Sequence, residues 1–310
     1  MKILVTGGRG FLGRFLCAFL NKLGHEVTSF NSKMCDLTRE SALEVFNFIR
    51  FDQIYHLAAW TQAGDFCLYH PGEQWIINQK INTHVLSWWQ RVQPQAKMIC
   101  MGTSCSYDPM ETLSEENYLK GFPIDGLFTY AMTKRMLLCG LMALSKQFGM
   151  EYLYVVPSTL YGPDYHTDGR QMHFIFDLIR KILAGALYGD TVTLWGDGEQ
   201  KRELIHVNDF IKAMTWLVAT QKNQVINIGS GQEHSIKEFA RIICDYAGYP
   251  FEKIVFDRTK YVGARSKVLS IERLKTMLPC YQPLDLKEGL QETIEWFKRE
   301  AMPSLSARGS

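Results

Sequence analysis

The chain has 310 residues, 46% hydrophobic and 21% charged, which excludes a disordered chain and leaves room for one wound sheet with an appended lobe. Lys and Arg number 34 against 32 Asp and Glu, a net charge of +2 that gives no electrostatic basis for binding nucleic acid or a membrane surface. Eight cysteines without CxxC pairs or zinc-finger spacing, no leader-like start and no long apolar run predict a reduced, cytoplasmic protein without a metal site.

Lys2–Thr6 (KILVT) predicts a buried strand and 11–23 a helix with apolar residues at Phe11, Phe15, Phe19 and Leu23. Between them, Gly7-Gly8-Arg9-Gly10-Phe11-Leu12-Gly13 fits both G-x-x-G-x-x-G and, from Gly8, G-x-G-x-x-G. In a strand–turn–helix context such a loop lets a pyrophosphate approach the backbone at the helix N-terminus. A second strand at 26–30 is followed by no acid until Asp36. Lys33 and Arg9 are instead suited to a 2′-phosphate, so NADP(H) is favoured and NAD(H) is the alternative. A helix at 41–49, a strand at 53–57, a long helix at 73–91 and a strand at Lys97–Met101 follow. Next come a helix at Phe128–Phe148, stopped by Gly149, and a fifth strand at 151–156. This alternation predicts an α/β fold, a parallel sheet with helices on both faces that binds ligands beyond the carboxyl ends of its strands.

After Pro163 the pattern changes. A polar loop at 164–171 leads to a helix at 173–184, a strand at 191–194 and a turn with Gly196 and Gly198. The apolar run at 225–228 is suited to rejoining the large sheet, and a short strand is expected at 253–256. The expected division is 1–165 with 204–229 as a dinucleotide-binding domain, and 166–203 with 230–303 as a smaller α/β substrate lobe. Residues 304–310 are a tail, whose Ala307-Arg308-Gly309-Ser310 reads as an expression scar.

Tyr130-Ala131-Met132-Thr133-Lys134 sets a tyrosine and a lysine on one helix face. A cation one turn away lowers a phenol's pKa and lets it exchange a proton with a carbonyl or alcohol. Gly102-Thr103-Ser104-Cys105-Ser106-Tyr107 follows the fourth strand, so Thr103 or Ser104 can hydrogen-bond the same oxygen.

With His56-Leu57-Ala58-Ala59, Pro157-Ser158-Thr159-Leu160-Tyr161-Gly162-Pro163 and Arg202-Glu203-Leu204-Ile205-His206-Val207-Asn208-Asp209, these motifs resemble the extended short-chain dehydrogenase/reductase family, in its nucleotide-sugar epimerase/dehydratase branch. The resemblance runs from residue 2 to about residue 298. It implies a Rossmann-type cofactor domain, with Thr103, Tyr130 and Lys134 as catalytic residues. It also implies cofactor contacts at Gly7, Arg9, Gly10, Phe11, Leu12, Gly13, Lys33, Asp36, Leu37, Leu57, Ala58, Ala59, Lys134, Pro157 and Leu160. Thr159 departs from the Asn usual in that loop.

The dehydratases of this branch carry an Asp-Glu pair where this chain has Ser104 and Cys105. A cysteine there looks like the GDP-fucose synthases and GDP-mannose 3,5-epimerases, whose cysteine works with a His or Lys at the start of a later helix; here that is His173. The resemblance further implies substrate contacts at Thr103, Lys181, Trp195 and Arg202, with Arg265 and Lys267 added for their charge. The implied activity is NADPH-dependent C3/C5 epimerisation and C4 reduction of a 4-keto, 6-deoxy sugar nucleotide, a GDP-sugar favoured. A C4 reductase, an epimerase that recycles its cofactor and a non-catalytic dinucleotide-binding protein are the alternatives. Family members dimerise through helices equivalent to 73–91 and Phe128–Phe148, so a homodimer is expected.

Overall fold

The computed structural model describes residues 1–62, 66–168, 170–260 and 264–302, and the expected tail at 304–310 lies outside the described residues. The first half runs β1 (Lys2–Thr6), α1 (Phe11–Lys22), β2 (Glu26–Ser29), β3 (Gln53–His56), α2 (Phe66–Tyr69), α3 (Pro71–Val92), β4 (Lys97–Met101), α4 (Phe128–Phe148) and β5 (Tyr152–Pro157). The second runs β6 (Thr159–Tyr161), α5 (Phe174–Tyr188), β7 (Thr193–Trp195), β8 (Lys201–His206), α6 (Val207–Thr220), β9 (Gln224–Ile228), β10 (Glu233–Ser235), α7 (Ile236–Ala247), β11 (Val255–Asp257), α8 (Glu272–Met277) and α9 (Leu286–Trp296).

Six strands form one parallel sheet in the order β2-β1-β3-β4-β5-β9. Strand order reverses at β1, which has β2 on one side and β3 on the other, so the crevice of the sheet opens where the glycine loop begins. The continuous apolar run of β5 (YLYVVP) is buried through its first five residues, as expected for a strand covered on both faces. Helix α3 begins with Pro71, whose ring favours the first helical turn, and α4 stops at Gly149 in the left-handed conformation (φ 70°).

Three strands have no counterpart in the sequence pattern: β6, β8 and β10 form a second sheet in the order β10-β8-β6. The helix expected at 41–49 is a 3₁₀ segment at Glu40–Phe46, where Leu43 is the one fully buried residue. Leu43 is buried and Ala42 and Phe46 pack against the core, but Val45 and Phe48 stay exposed, and so short a segment has little packing to hold it as an α-helix. The strand expected at 253–256 begins two residues later, after a 3₁₀ turn at Phe251–Lys253, and pairs in parallel with β7.

Two apolar cores result. One contains Ile3, Trp89, Tyr154 and Ile226 around the large sheet and also takes in Leu269, Ile271 and Leu274. The other contains Tyr161, Phe176, Leu204, Phe239, Ile294 and Phe297, and Phe11 packs against both. The stretch Asp125–Phe148 is long and apolar enough to cross a membrane by length and composition. It nonetheless buries Lys134 and Arg135 against the protein, as a core helix does.

Candidate active site

The glycine loop bends where β1 ends. Gly7 adopts a positive φ of 70°, and a Cβ on it would lie 2.9 Å from the Ala58 nitrogen. A Cβ on Gly13 would lie 2.3 Å from the Gly7 carbonyl oxygen. Leu57 and Ala58 thus stand beside the loop, with Ala59 next in the chain. The strand ends are fixed by a buried chain in which the Thr6 hydroxyl meets His56 Nδ1 at 2.8 Å and His56 Nε2 meets Asn82 Oδ1 at 3.1 Å. Burial pushes His56 down to about 4, so it stays neutral and structural.

No side chain caps α1 at Gly10 and no acid stands in its first turn, which leaves the N-terminus suited to an anion. Arg9 and Lys33 are exposed, and Asn31 Oδ1 accepts the Lys33 and Met34 N–H groups in a tight turn after β2. Asp36 Oδ1 accepts from the Thr38 hydroxyl at 2.7 Å, which lowers its carboxyl, and Leu37 is buried in the large core. Pro157 ends β5, and Leu160 lies in β6. This cradle, where no side chain fits at Gly13, could hold a dinucleotide.

Beyond β4, Thr103 caps a short 3₁₀ turn at Ser104–Ser106, its Oγ1 accepting the Cys105 N–H at 3.2 Å. The Thr103 N–H donates to the Tyr118 hydroxyl at 3.2 Å. Tyr118 in turn contacts Ser106 and Tyr154, each at 3.1 Å, and the Tyr154 hydroxyl donates to the Lys134 carbonyl at 2.8 Å. This buried chain locks β4's end to the helix that carries Tyr130 and Lys134. Sequence spacing gave no sign of it, because Tyr118 and Tyr154 look like ordinary core residues.

Tyr130 is half-buried and hydrogen-bonded by Thr103. Against the expected lowering by Lys134, burial pushes the phenol up, Cys105, Cys67 and Tyr118 add to the rise, and the Thr103 hydrogen bond opposes it. Lys134 is itself buried among His56 and Cys100, and burial brings its ammonium down to about 8.

Cys105 is half-buried, and Lys267 donates to its Sγ at 2.8 Å. Burial raises the thiol, but Lys267, Thr103 and Arg202 together outweigh it and lower it. His173 caps α5 with its carbonyl, which accepts the Phe176 and Asp177 N–H groups at 3.0 and 3.2 Å. The residue is exposed, and desolvation of its ring together with the charges of Lys267 and His166 holds its imidazole below the usual range. The Tyr165 ring stacks on Phe176 at 3.7 Å and meets Phe11 edge-on at 5.2 Å, so the start of α5 is braced against the glycine loop.

The other expected substrate residues are placed less uniformly. Arg202 lies on β8 and donates to the Ala264 carbonyl at 2.8 Å, and the Arg265 carbonyl accepts the Lys201 N–H at 2.8 Å. Trp195 ends β7 and is 52% exposed, open to stacking. Lys181 is paired with Asp177 at 2.9 Å. A cavity of about 480 Å³ lined by Tyr161, His206, Lys275 and Tyr281 lies apart from the Thr103–Cys105–Tyr130 cluster.

The sequence profile of the NAD dependent epimerase/dehydratase family matches residues 3–229. A probable GDP-L-fucose synthase 1 of Oryza sativa subsp. japonica is 29% identical over 305 residues, 96% of this chain and 92% of that protein. UDP-glucuronic acid decarboxylase 1 of Xenopus tropicalis is 30% identical over 316 residues, 96% of this chain and 72% of that protein. The crystal structure of a GDP-L-fucose synthetase from Naegleria fowleri bound to NADP superposes with a TM-score of 0.83 at 23% identity, covering 96% of this chain and 94% of that one.

Proposed function

Because the chain belongs to the NAD dependent epimerase/dehydratase family, we propose that it is an NADPH-dependent epimerase/reductase of a 4-keto, 6-deoxy sugar nucleotide, with a GDP-sugar favoured. The observation that carries this reading is the convergence of Thr103, Cys105 and Tyr130 at the carboxyl end of β4. The GDP-L-fucose synthase relatives and the NADP-bound neighbour support the choice of cofactor and nucleotide. The glycine loop, Arg9 and Lys33 hold the cofactor, which when bound supplies the hydride for C4.

A carbonyl at C4 acidifies the protons on C3 and C5. Cys105 and His173 share the exchange, one removing a proton and the other returning it to the opposite face. Tyr130, kept protonated by burial, is in the state needed to give a proton to the C4 oxygen, with Thr103 hydrogen-bonding beside it. Arg202, Arg265 and Lys181 supply charge for the diphosphate and Trp195 a face for the base. Exposed Trp75, Ile76, Met136 and Met142 on α3 and α4, two helices that pack side by side, support a homodimer through a four-helix interface. We place the protein in the cytoplasm, where its cysteines stay reduced.

Solvent deuterium incorporation at C3 and C5, followed with NADPH oxidation on a panel of 4-keto sugar nucleotides, tests the reading. Cys105→Ser and His173→Gln should abolish incorporation, while Tyr130→Phe should mainly impair reduction. Normal epimerisation by the Cys105 variant would overturn the two-base assignment. Stoichiometric NADPH oxidation with C3 and C5 unchanged would mean a reductase alone, and no net oxidation an epimerase alone.

A further inference from the structure

We propose that Lys267 is the counter-ion that favours the thiolate form of Cys105, a positioning residue for the Cys105/His173 pair. The inference rests on the reading of Cys105 as an acid/base group and adds a positioning residue to it. Its basis is geometric. The Lys267 ammonium donates to Sγ at 2.8 Å, across 162 positions of sequence. Backbone bonds fix the segment that carries it: the Leu269 N–H donates to buried Glu203 at 2.8 Å and the Ser270 N–H to the Leu113 carbonyl at 3.0 Å. The lysine is therefore delivered to the thiol from an anchored strand of chain.

Among the described residues, the groups that face Cys105 are the cations Lys267 and Arg202, the Thr103 hydroxyl, and the weak acids Tyr130 and Cys67. Tyr130 and Cys67 are both raised and stay neutral near pH 7, so the cations dominate. Ionisation of Cys105 releases its S–H proton to solvent. In the reaction the thiolate takes the carbon-bound proton, an S–H bond forms, the C–H electron pair becomes the C=C bond of the enolate, and the carbonyl π pair moves to the C4 oxygen. Paired charges also matter for His173: the thiolate offsets the ammonium that otherwise disfavours an imidazolium, the form His173 needs to return a proton.

The test needs no substrate. Iodoacetamide alkylation of the Cys105 peptide, resolved by mass spectrometry from the other seven cysteines, is measured against pH in the wild type, Lys267→Met and Lys267→Arg. The thiolate absorbance near 240 nm, taken as the difference from Cys105→Ser, is the second readout. The wild-type thiol should titrate below the ordinary thiol range. Lys267→Met should shift it upward and slow alkylation near pH 7 by about tenfold or more, while Lys267→Arg should keep most of the wild-type rate. Circular dichroism identifies any variant that fails to fold, and the arginine variant then decides. An unchanged profile in a folded Lys267→Met protein overturns the proposal, because a lysine that serves only a substrate phosphate leaves the free thiol untouched. A present thiolate signature with no deuterium exchange on any sugar would instead count against the reaction assigned above.

Discussion

Replacing Gly13 by alanine is the sharpest probe of the cofactor cradle. The added Cβ would sit 2.3 Å from the Gly7 carbonyl oxygen and 2.7 Å from the Gly8 Cα, where ordinary contact begins at 3.4 Å. Both neighbours are backbone, so about 1 Å of separation between β1's turn and α1 must open up. Overpacking of this kind costs about 1–3 kcal/mol. Because the loop that moves is the one proposed to meet the pyrophosphate, most of that cost should appear in binding, as about a 10- to 100-fold weaker affinity for NADPH. Titration calorimetry gives the affinity and urea unfolding the stability. Gly72→Ala serves as the control: nothing lies within 4 Å of its would-be Cβ and its φ is not positive, so it should bind NADPH normally and gain about 0.5–1 kcal/mol. A Gly13→Ala protein that binds NADPH within twofold of the wild type, at unchanged stability, would refute the close-approach argument.

Three further outcomes are expected. Glu203 is 2% exposed and burial pushes its carboxyl up to about 7. Its neutral form is favoured by folding, so its contribution is present below the unfolded carboxyl range and is lost as pH rises through about 7. Urea unfolding should show about 3 kcal/mol of stability lost between pH 4.5 and 8 from this group, and Glu203→Gln should flatten that slope; an equal slope in both proteins would exclude it. Asn227 accepts from the Tyr107 hydroxyl at 2.6 Å and donates to the Leu113 and Ser270 carbonyls at 2.8 and 3.0 Å. Asn227→Leu orphans all three and should cost at least about 3 kcal/mol by urea unfolding, with a loss under about 1 kcal/mol speaking against the network. Met142→Glu, on the exposed face of α4, should shift the mass seen by light scattering from dimer toward monomer with the fold intact, and an unchanged mass would place any interface elsewhere.

The large sheet was legible because its strands are apolar runs covered on both faces, and the candidate site because its motifs stand at the carboxyl ends of those runs. β8 was not legible for the opposite reason. Its sequence KRELIH opens with three charged residues, yet Arg202 and Glu203 find partners in the 264–269 segment, which no local pattern announces. The Lys267–Cys105 contact was hidden in the same way, since only the folded chain brings that segment to β4. Tyr130 shows the limit of spacing rules. The i, i+4 spacing says nothing of burial, and the sign of the phenol's shift is set by burial with Cys105, Cys67 and Tyr118 nearby, which the helix itself does not encode.

β5 and β6 are separated by a single buried residue, Ser158, whose N–H donates to the Ile228 carbonyl at 3.0 Å, so one extended run of chain serves first one sheet and then the other. The smaller sheet is therefore not a separable cassette. Grafting the smaller sheet of a relative would cut the unbroken run of chain that joins the two sheets. New specificity has to be introduced by point changes at the cleft, with the framework left whole.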